Sequence, residues 1–262
     1  MKHLLMGVAM LACLASQTVK AGQSCEEKAP TPTQVRESLE LAEQAREALE
    51  NSQAEVAVIA RAGQNLDKWG LHYSHLAFVW RDDPHGRYSV VHLLNRCGTA
   101  EGALFDQGLG DFFMDDMYQF RTLIMIPDAQ LQERLAGMLE SGRAGRFLEP
   151  HYNMLAYPYS TQFENSNQWP LEVLAAAMSS ELQINDRESA QFWLRNVGYQ
   201  PSVIHLSAFE RLGAETTRVN ISFNDHPFNR RMAGQIDTVT VDSIQRFLQV
   251  KDPGLKEIVL TR

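Results

Sequence analysis

Cysteine is scarce in this chain: three occur in 262 residues, and Cys13 lies in a segment that reads as a leader. A mature chain would keep only Cys25 and Cys97, enough for one disulfide and no more. Positive charge is also short. Lys and Arg number 24 against 32 Asp and Glu, for a formal net charge of −8, which argues against nucleic acid or an anionic membrane as the main partner, because phosphates need a basic surface. No hydrophobic run after the leader approaches the length of a membrane span. HExxH, a phosphate-binding loop and a dinucleotide fingerprint are all missing, so no metal site or cofactor is expected. No internal repeat or low-complexity linker interrupts the chain, and a single domain over residues 22–262 is the economical expectation.

The N-terminus supplies the parts of an export signal. Lys2 gives the positive start, Leu4 to Leu14 the apolar run, and Val19-Lys20-Ala21 a small-residue cleavage point, so residues 1–21 are expected to be a signal peptide. The run is too short to span a bilayer and is followed by polar Ser16 to Lys20. Lipidation at Cys13 would leave a very short apolar segment before it. Export, with the periplasm of a Gram-negative cell envelope as destination, makes a Cys25–Cys97 disulfide the simplest fate for the remaining cysteines. Two free thiols are the alternative. If the disulfide forms, neither cysteine is left as a nucleophile.

Periodicity gives the coarse architecture. Thr31 to Asn51 carries Val35, Leu39, Ala42, Ala45 and Leu49 at helical spacing. EVAVIA, from Glu55, predicts a strand, and LHYSHLAFVW and RYSVVHLLN predict two more, joined by RDDPHG as an antiparallel hairpin. GALFDQGLGDFFMDDMYQF has no clean period and reads as a long structured loop. RTLIMI is a strand, Ala129 to Leu139 a helix, and Gly142 to Gln162 an irregular, aromatic-rich region. A helix starting near Asn165 or Ser166 follows, then another around Asp186 to Asn196. Strands at RVNISF and DTVTV and a short helix near Ser243 to Leu248 complete the chain. The sum is an α+β fold: an antiparallel sheet with flanking helices.

Three features could meet in one site. Side chains alternate along a strand, so His75, Ala77 and Val79 share a face of the first hairpin strand, and Val90, His92 and Leu94 share a face of the second. Two histidines can therefore stand side by side across the hairpin. A histidine base needs a neighbouring hydroxyl or thiol and a third polar group to fix its tautomer. His75 is the candidate base and His92 the candidate orienting group. Ser166, at the helix start, is the candidate nucleophile, although helix capping alone would also explain it. Asn165, Asn167, Gln168 and Trp169 beside it are candidate substrate contacts, the amides being able to bind a carbonyl or to satisfy loop backbone. Glu172 lies on the same helix face as Gln168, as a second polar contact or a solvated residue. A three-histidine metal site with His72 would need a bulge, since His72 falls on the face opposite His75. Asp111, Asp115 and Asp116 do not match an EF-hand loop. Asp225, His226 and Asn229 read as a turn.

The segments AVIARAGQNLDKWGLHYSHLAF, YSVVHLLNRCGTA, LFDQGLGDFF and NQWPLE, in that order, resemble the DUF2145 family of bacterial exported proteins. The order strand-histidine, strand-histidine, helix-start nucleophile is also similar to the circularly permuted NlpC/P60 proteins of the papain-like superfamily. That resemblance implies a papain-like fold, with His75 as base, His92 as third polar group and Ser166 where those proteins have cysteine. It further implies a hydrolase or transferase acting on amide or ester bonds, with a cell-wall peptide or a lipid as substrate. The alternative is a non-catalytic papain-like scaffold that binds a peptide, glycan or lipid in the old cleft.

Overall fold

A computed structural model describes residues 29–115, 117–179 and 182–262. The expected signal peptide, Cys13, Cys25 and Asp116 lie outside them. Along the chain run helix α1 (Pro32–Ser52), strands β1 (Val56–Ala62), β2 (His75–Trp80), β3 (Ser89–Asn95) and β4 (Gly102–Gln107), helix α2 (Leu109–Met114), strand β5 (Gln119–Ile126), and helices α3 (Ala129–Glu140), α4 (Gln168–Met178) and α5 (Arg187–Asn196). Strand β6 (Ser202–His205), helices α6 (Ala208–Thr217) and α7 (Phe228–Met232), strand β7 (Gln235–Thr238), helix α8 (Val241–Lys251) and strand β8 (Lys256–Thr261) follow.

Six strands form one sheet in the order β4-β3-β2-β1-β5-β8, with every neighbouring pair antiparallel. Strands β6 and β7 form a separate antiparallel pair. Helices cover both faces of the large sheet, so β1 and β2 are buried along their whole length. That is why their sequences are apolar runs rather than alternations. Val58, Leu76, Phe78, Leu93 and Met125 pack with α3, α4 and α8 on one face. Ile59, Ala77, Val79, Val90 and Ile124 pack with α1 and α2 on the other. Trp169 of α4 anchors the first face. It is fully buried, stands edge-on to Phe78 with centroids 5.5 Å apart, and donates its indole N–H to the Ala144 carbonyl at 3.1 Å. The fold is therefore α+β with an antiparallel sheet flanked by helices. Among the described residues no helix is long and apolar enough to cross a membrane.

Several expectations need correction. The buried stripe of α1 is Ser38, Leu41, Ala42, Ala45 and Leu49, while Leu39 is 49% exposed. Ser38 takes the inward position, its hydroxyl donating to the Phe113 carbonyl of α2 at 2.9 Å. The stretch expected as a long loop holds β4 and α2. β4 is an edge strand with mostly half-buried side chains, and α2 is only six residues long, so neither leaves a clear period. RVNISF forms no strand: its backbone meets the 153–154 segment through Met154 N–H to Asn220 O and Asn153 Nδ2 to Ser222 O. The expected Cys25–Cys97 disulfide is not found among the described residues, because Cys25 lies outside them. Cys97 is the only cysteine within them.

Candidate functional site

His75 and His92 meet, an outcome that their face assignment allowed and the strand register decides. The β2–β3 register pairs Phe78 with Val91 and Val79 with Val90, and both imidazoles end on the face that carries α2. His75 Nε2 lies 2.8 Å from His92 Nδ1, and His92 Nε2 lies 3.0 Å from Gln107 Oε1 at the end of β4. Phe112 of α2 packs against both rings. This chain fixes the protons. Gln107 Oε1 can only accept, so His92 carries its proton on Nε2, its Nδ1 accepts from His75 Nε2–H, and His75 Nδ1 is left as the basic nitrogen.

Both imidazoles are held neutral. Burial pushes His75 well below the ordinary histidine range, helped by the Arg61 guanidinium and by His92. Burial and Arg61 push His92 down to about 4, with Gln107 working the other way. Arg61 stands opposite His75 in the β1–β2 register. Its guanidinium is itself buried, bonded to the Phe112 carbonyl and the Asp115 carboxylate, and stacked over the Phe112 ring.

Ser166 precedes the first turn of α4, and a network of side chains fixes its position. Asn165 Oδ1 accepts from the backbone N–H groups of Asn167 and Gln168 at 3.0 and 2.8 Å, so Asn165 caps the helix. Asn167 binds the start of β2 through both ends of its amide. Gln168 donates to Glu172 at 3.1 Å, and Glu172 takes Arg187 Nε at 2.8 Å. Arg187 then donates to the carbonyls of Thr161 and Phe163, and the Glu164 carboxylate beside it accepts from the Glu149 N–H. Glu172 is thus neither a solvated residue nor a ligand contact: it is buried in an ion pair. Burial raises Glu164 well above the usual carboxylate range, followed by the charge of Glu172. The network ties residues 160–165 to α4 and α5, and Ser166 is carried on that frame.

Ser166 and His75 line one cavity of about 120 Å³, with Arg61, Asp115, Tyr152, Asn165 and Asn167 among its walls. No hydrogen bond joins Ser166 to His75. Ser166 is 8% exposed and lies beside Tyr152, whose hydroxyl is pushed up by burial while the Ser166 contacts work against that shift. Of the four expected substrate contacts, Asn165 and Asn167 line the cavity with their amides tied to the protein, whereas Gln168 and Trp169 are fully buried. Arg61, Gln107 and Tyr152 were not anticipated. Arg61 had a signal, as the one charge in an otherwise apolar strand; the other two had none.

His72 lies outside β2 and pairs with Asp242 at 2.7 Å. His226 is buried between Asp225 and the Asp237 carbonyl, within a turn. Asp83, His85 and Asp106, at the β2–β3 turn and on β4, bring three ligand atoms within 4.8 Å of one another and are the described residues that could hold a metal ion. His85 is already bonded to both carboxylates, at 3.0 and 2.8 Å.

The family described as "Uncharacterized protein conserved in bacteria (DUF2145)" matches residues 48–248. The chain belongs to the DUF2145 family. The matched stretch runs from the end of α1 into α8 and includes all the residues of the cavity. No curated protein and no solved structure matches this DUF2145 chain.

Proposed function

We propose that this DUF2145 protein is a hydrolase or transferase acting on an amide or ester bond through Ser166 and His75. The observation that carries the reading is the hydrogen-bond chain from Gln107 through His92 to His75, which leaves a basic nitrogen on an imidazole lining the same cavity as Ser166. In the reaction, Ser166 Oγ adds to the carbonyl carbon and its proton passes to His75 Nδ1. The amine or alcohol leaves with that proton, and water or a second alcohol or amine releases the acyl group by the reverse path. His92 orients His75, and Asn165 and Asn167 shape the cavity while Gln168 and Trp169 support it from the core. The order of the two histidine strands and the helix start supports a papain-like, permuted NlpC/P60 relationship, with serine in the cysteine position. The reading extends to export, with residues 1–21 as leader and 22–262 as one α+β domain, and to a peptidoglycan peptide, glycan or lipid of the cell envelope as substrate.

A second reading, a non-catalytic scaffold that binds such a ligand, draws on the closeness of Ser166 to Tyr152 and on the small cavity. Turnover separates the two. The purified protein is assayed with p-nitrophenyl esters and peptidoglycan fragments beside Ser166→Ala, His75→Ala and Ser166→Cys. The hydrolase reading expects at least a hundredfold loss in the two alanine variants and a gain in Ser166→Cys. No turnover in wild type or Ser166→Cys, both folded, leaves the scaffold reading.

A further inference from the structure

A second cavity of about 230 Å³ adjoins the first. Gln64, Ser74, Met154 and Asn167 line both. Beyond that shared wall the character changes: Leu71, Leu155, Ile204, Leu206 and Ile221 give the second cavity an aliphatic lining. Most of its polar neighbours already have partners, although the buried Tyr73 hydroxyl has none. Ser74 Oγ accepts from the Gly63 N–H, Asn167 is bonded to β2 at both ends, Thr238 Oγ1 accepts from Asn165, and Thr240 caps α8. A peptide backbone or a sugar entering here would lose its hydrogen bonds to water and find few replacements. A hydrocarbon chain asks for none.

The outer wall points the same way. Glu210 and Ala214 of α6 close the cavity from one side, yet α6 has no buried residue of its own. Its Phe209 is 84% exposed, Leu212 is also exposed, and Trp69 stands on the cavity wall partly in solvent. The helix is held by its capping box at Ser207 and by a Lys68–Glu210 ion pair of 2.7 Å reaching from the 67–69 turn. The lining of the second cavity is therefore mostly apolar, whereas the first cavity, with Arg61, Asp115, His75 and Ser166, is polar.

We infer that the second cavity receives a straight acyl chain whose carbonyl sits in the Ser166–His75 cavity, which makes the ligand a fatty-acyl ester or amide. Only the placement of the carbonyl rests on the reading of Ser166 and His75 as the reacting pair. Occupation of the apolar cavity stands apart from it.

The test uses ligands that cannot be cleaved. Binding of 2-butanone, 2-hexanone, 2-octanone and 2-decanone to the purified protein is measured by calorimetry. Affinity is expected to rise roughly fourfold per added methylene until the cavity is full, the factor that about 0.8 kcal/mol per buried CH₂ gives. Ala214→Trp, which fills the cavity from α6, is expected to abolish that dependence, and Ser166→Ala to leave it unchanged. Affinity independent of chain length overturns the inference, and that readout needs no variant. So does stronger binding by N-acetyl-leucine amide than by 2-octanone, which would assign the cavity to a peptide side chain. A chain-length series that holds while no ester is turned over would sink the hydrolase reading and leave the acyl-chain cavity standing.

Discussion

Asn167 joins helix α4 to strand β2 through both ends of one amide: Oδ1 accepts from the Leu76 N–H at 2.9 Å and Nδ2 donates to the Ser74 carbonyl at 3.3 Å. The bond pair brackets His75, so the residue beside Ser166 sets where the imidazole stands relative to the helix start. Asn167→Ala strands the buried Leu76 N–H and is expected to cost about 1–3 kcal/mol. Asn167→Asp keeps the acceptor and is expected to lose less. Urea unfolding of the three proteins checks this, and equal stability of Asn167→Ala and wild type would refute it.

Arg187 faces two buried acids, Glu164 and Glu172, while holding the Thr161 and Phe163 carbonyls. Arg187→Met removes the cation and leaves the acids buried, for an expected loss of about 3–5 kcal/mol. The double variant Arg187→Met/Glu172→Met is expected to recover part of that loss, since an apolar pair needs no counter-charge. Thermal melts of both variants decide the matter, a double variant weaker than the single one being the adverse result.

Buried His92 gives stability a pH dependence of known sign. Its folded pKa of about 4 lies below the ordinary 6.5, so between those values the unfolded chain binds more protons than the native one. Stability is full above pH 6.5 and falls as pH drops toward 4, by about 3 kcal/mol from this residue. His75 acts in the same direction. His92→Gln is expected to show a shallower loss between pH 7 and pH 4.5 than wild type. Parallel pH dependences of the two unfolding midpoints would count against the burial argument.

The tautomer chain makes a spectroscopic prediction. In wild type, His75 is expected to be neutral with its proton on Nε2, because His92 Nδ1 is made an acceptor by Gln107. Gln107→Leu removes that constraint. Nitrogen-15 spectra of labelled histidine are expected to show one His75 tautomer in wild type and a mixture in the variant. Where turnover is measured, Gln107→Leu is expected to lower kcat about tenfold to hundredfold with little change in KM, the equivalent of about 1–3 kcal/mol. A wild-type His75 protonated on Nδ1 would remove the base from the proposed reaction.

Much of the fold was legible because local chemistry and tertiary demand agreed. The apolar runs of β1 and β2, the turn residues of RDDPHG and the capped helices at Pro32, Ala129 and Arg187 each follow from short-range pattern. The short or half-exposed elements β4, α2, β6, α6 and β8 did not, because a strand at a sheet edge or a six-residue helix buries too little to impose a period. Glu172 was misjudged for a related reason. Nothing near it in sequence shows that Arg187, 15 residues away, will be its partner.

The sequence alone assigned His75 to a face with Ala77 and Val79 and His92 to a face with Val90 and Leu94, and left it to strand register whether those faces coincide. It also determined that a polar helix start would carry Ser166. Tertiary contacts alone brought the two histidines together, made Gln107 set their protons, stood Arg61 opposite His75, and opened an aliphatic cavity next to the one that holds Ser166. Those contacts join residues dozens of positions apart. They form because burying the two faces of one sheet brings β1, β3, β4 and α4 together, a constraint that no local window of the chain contains.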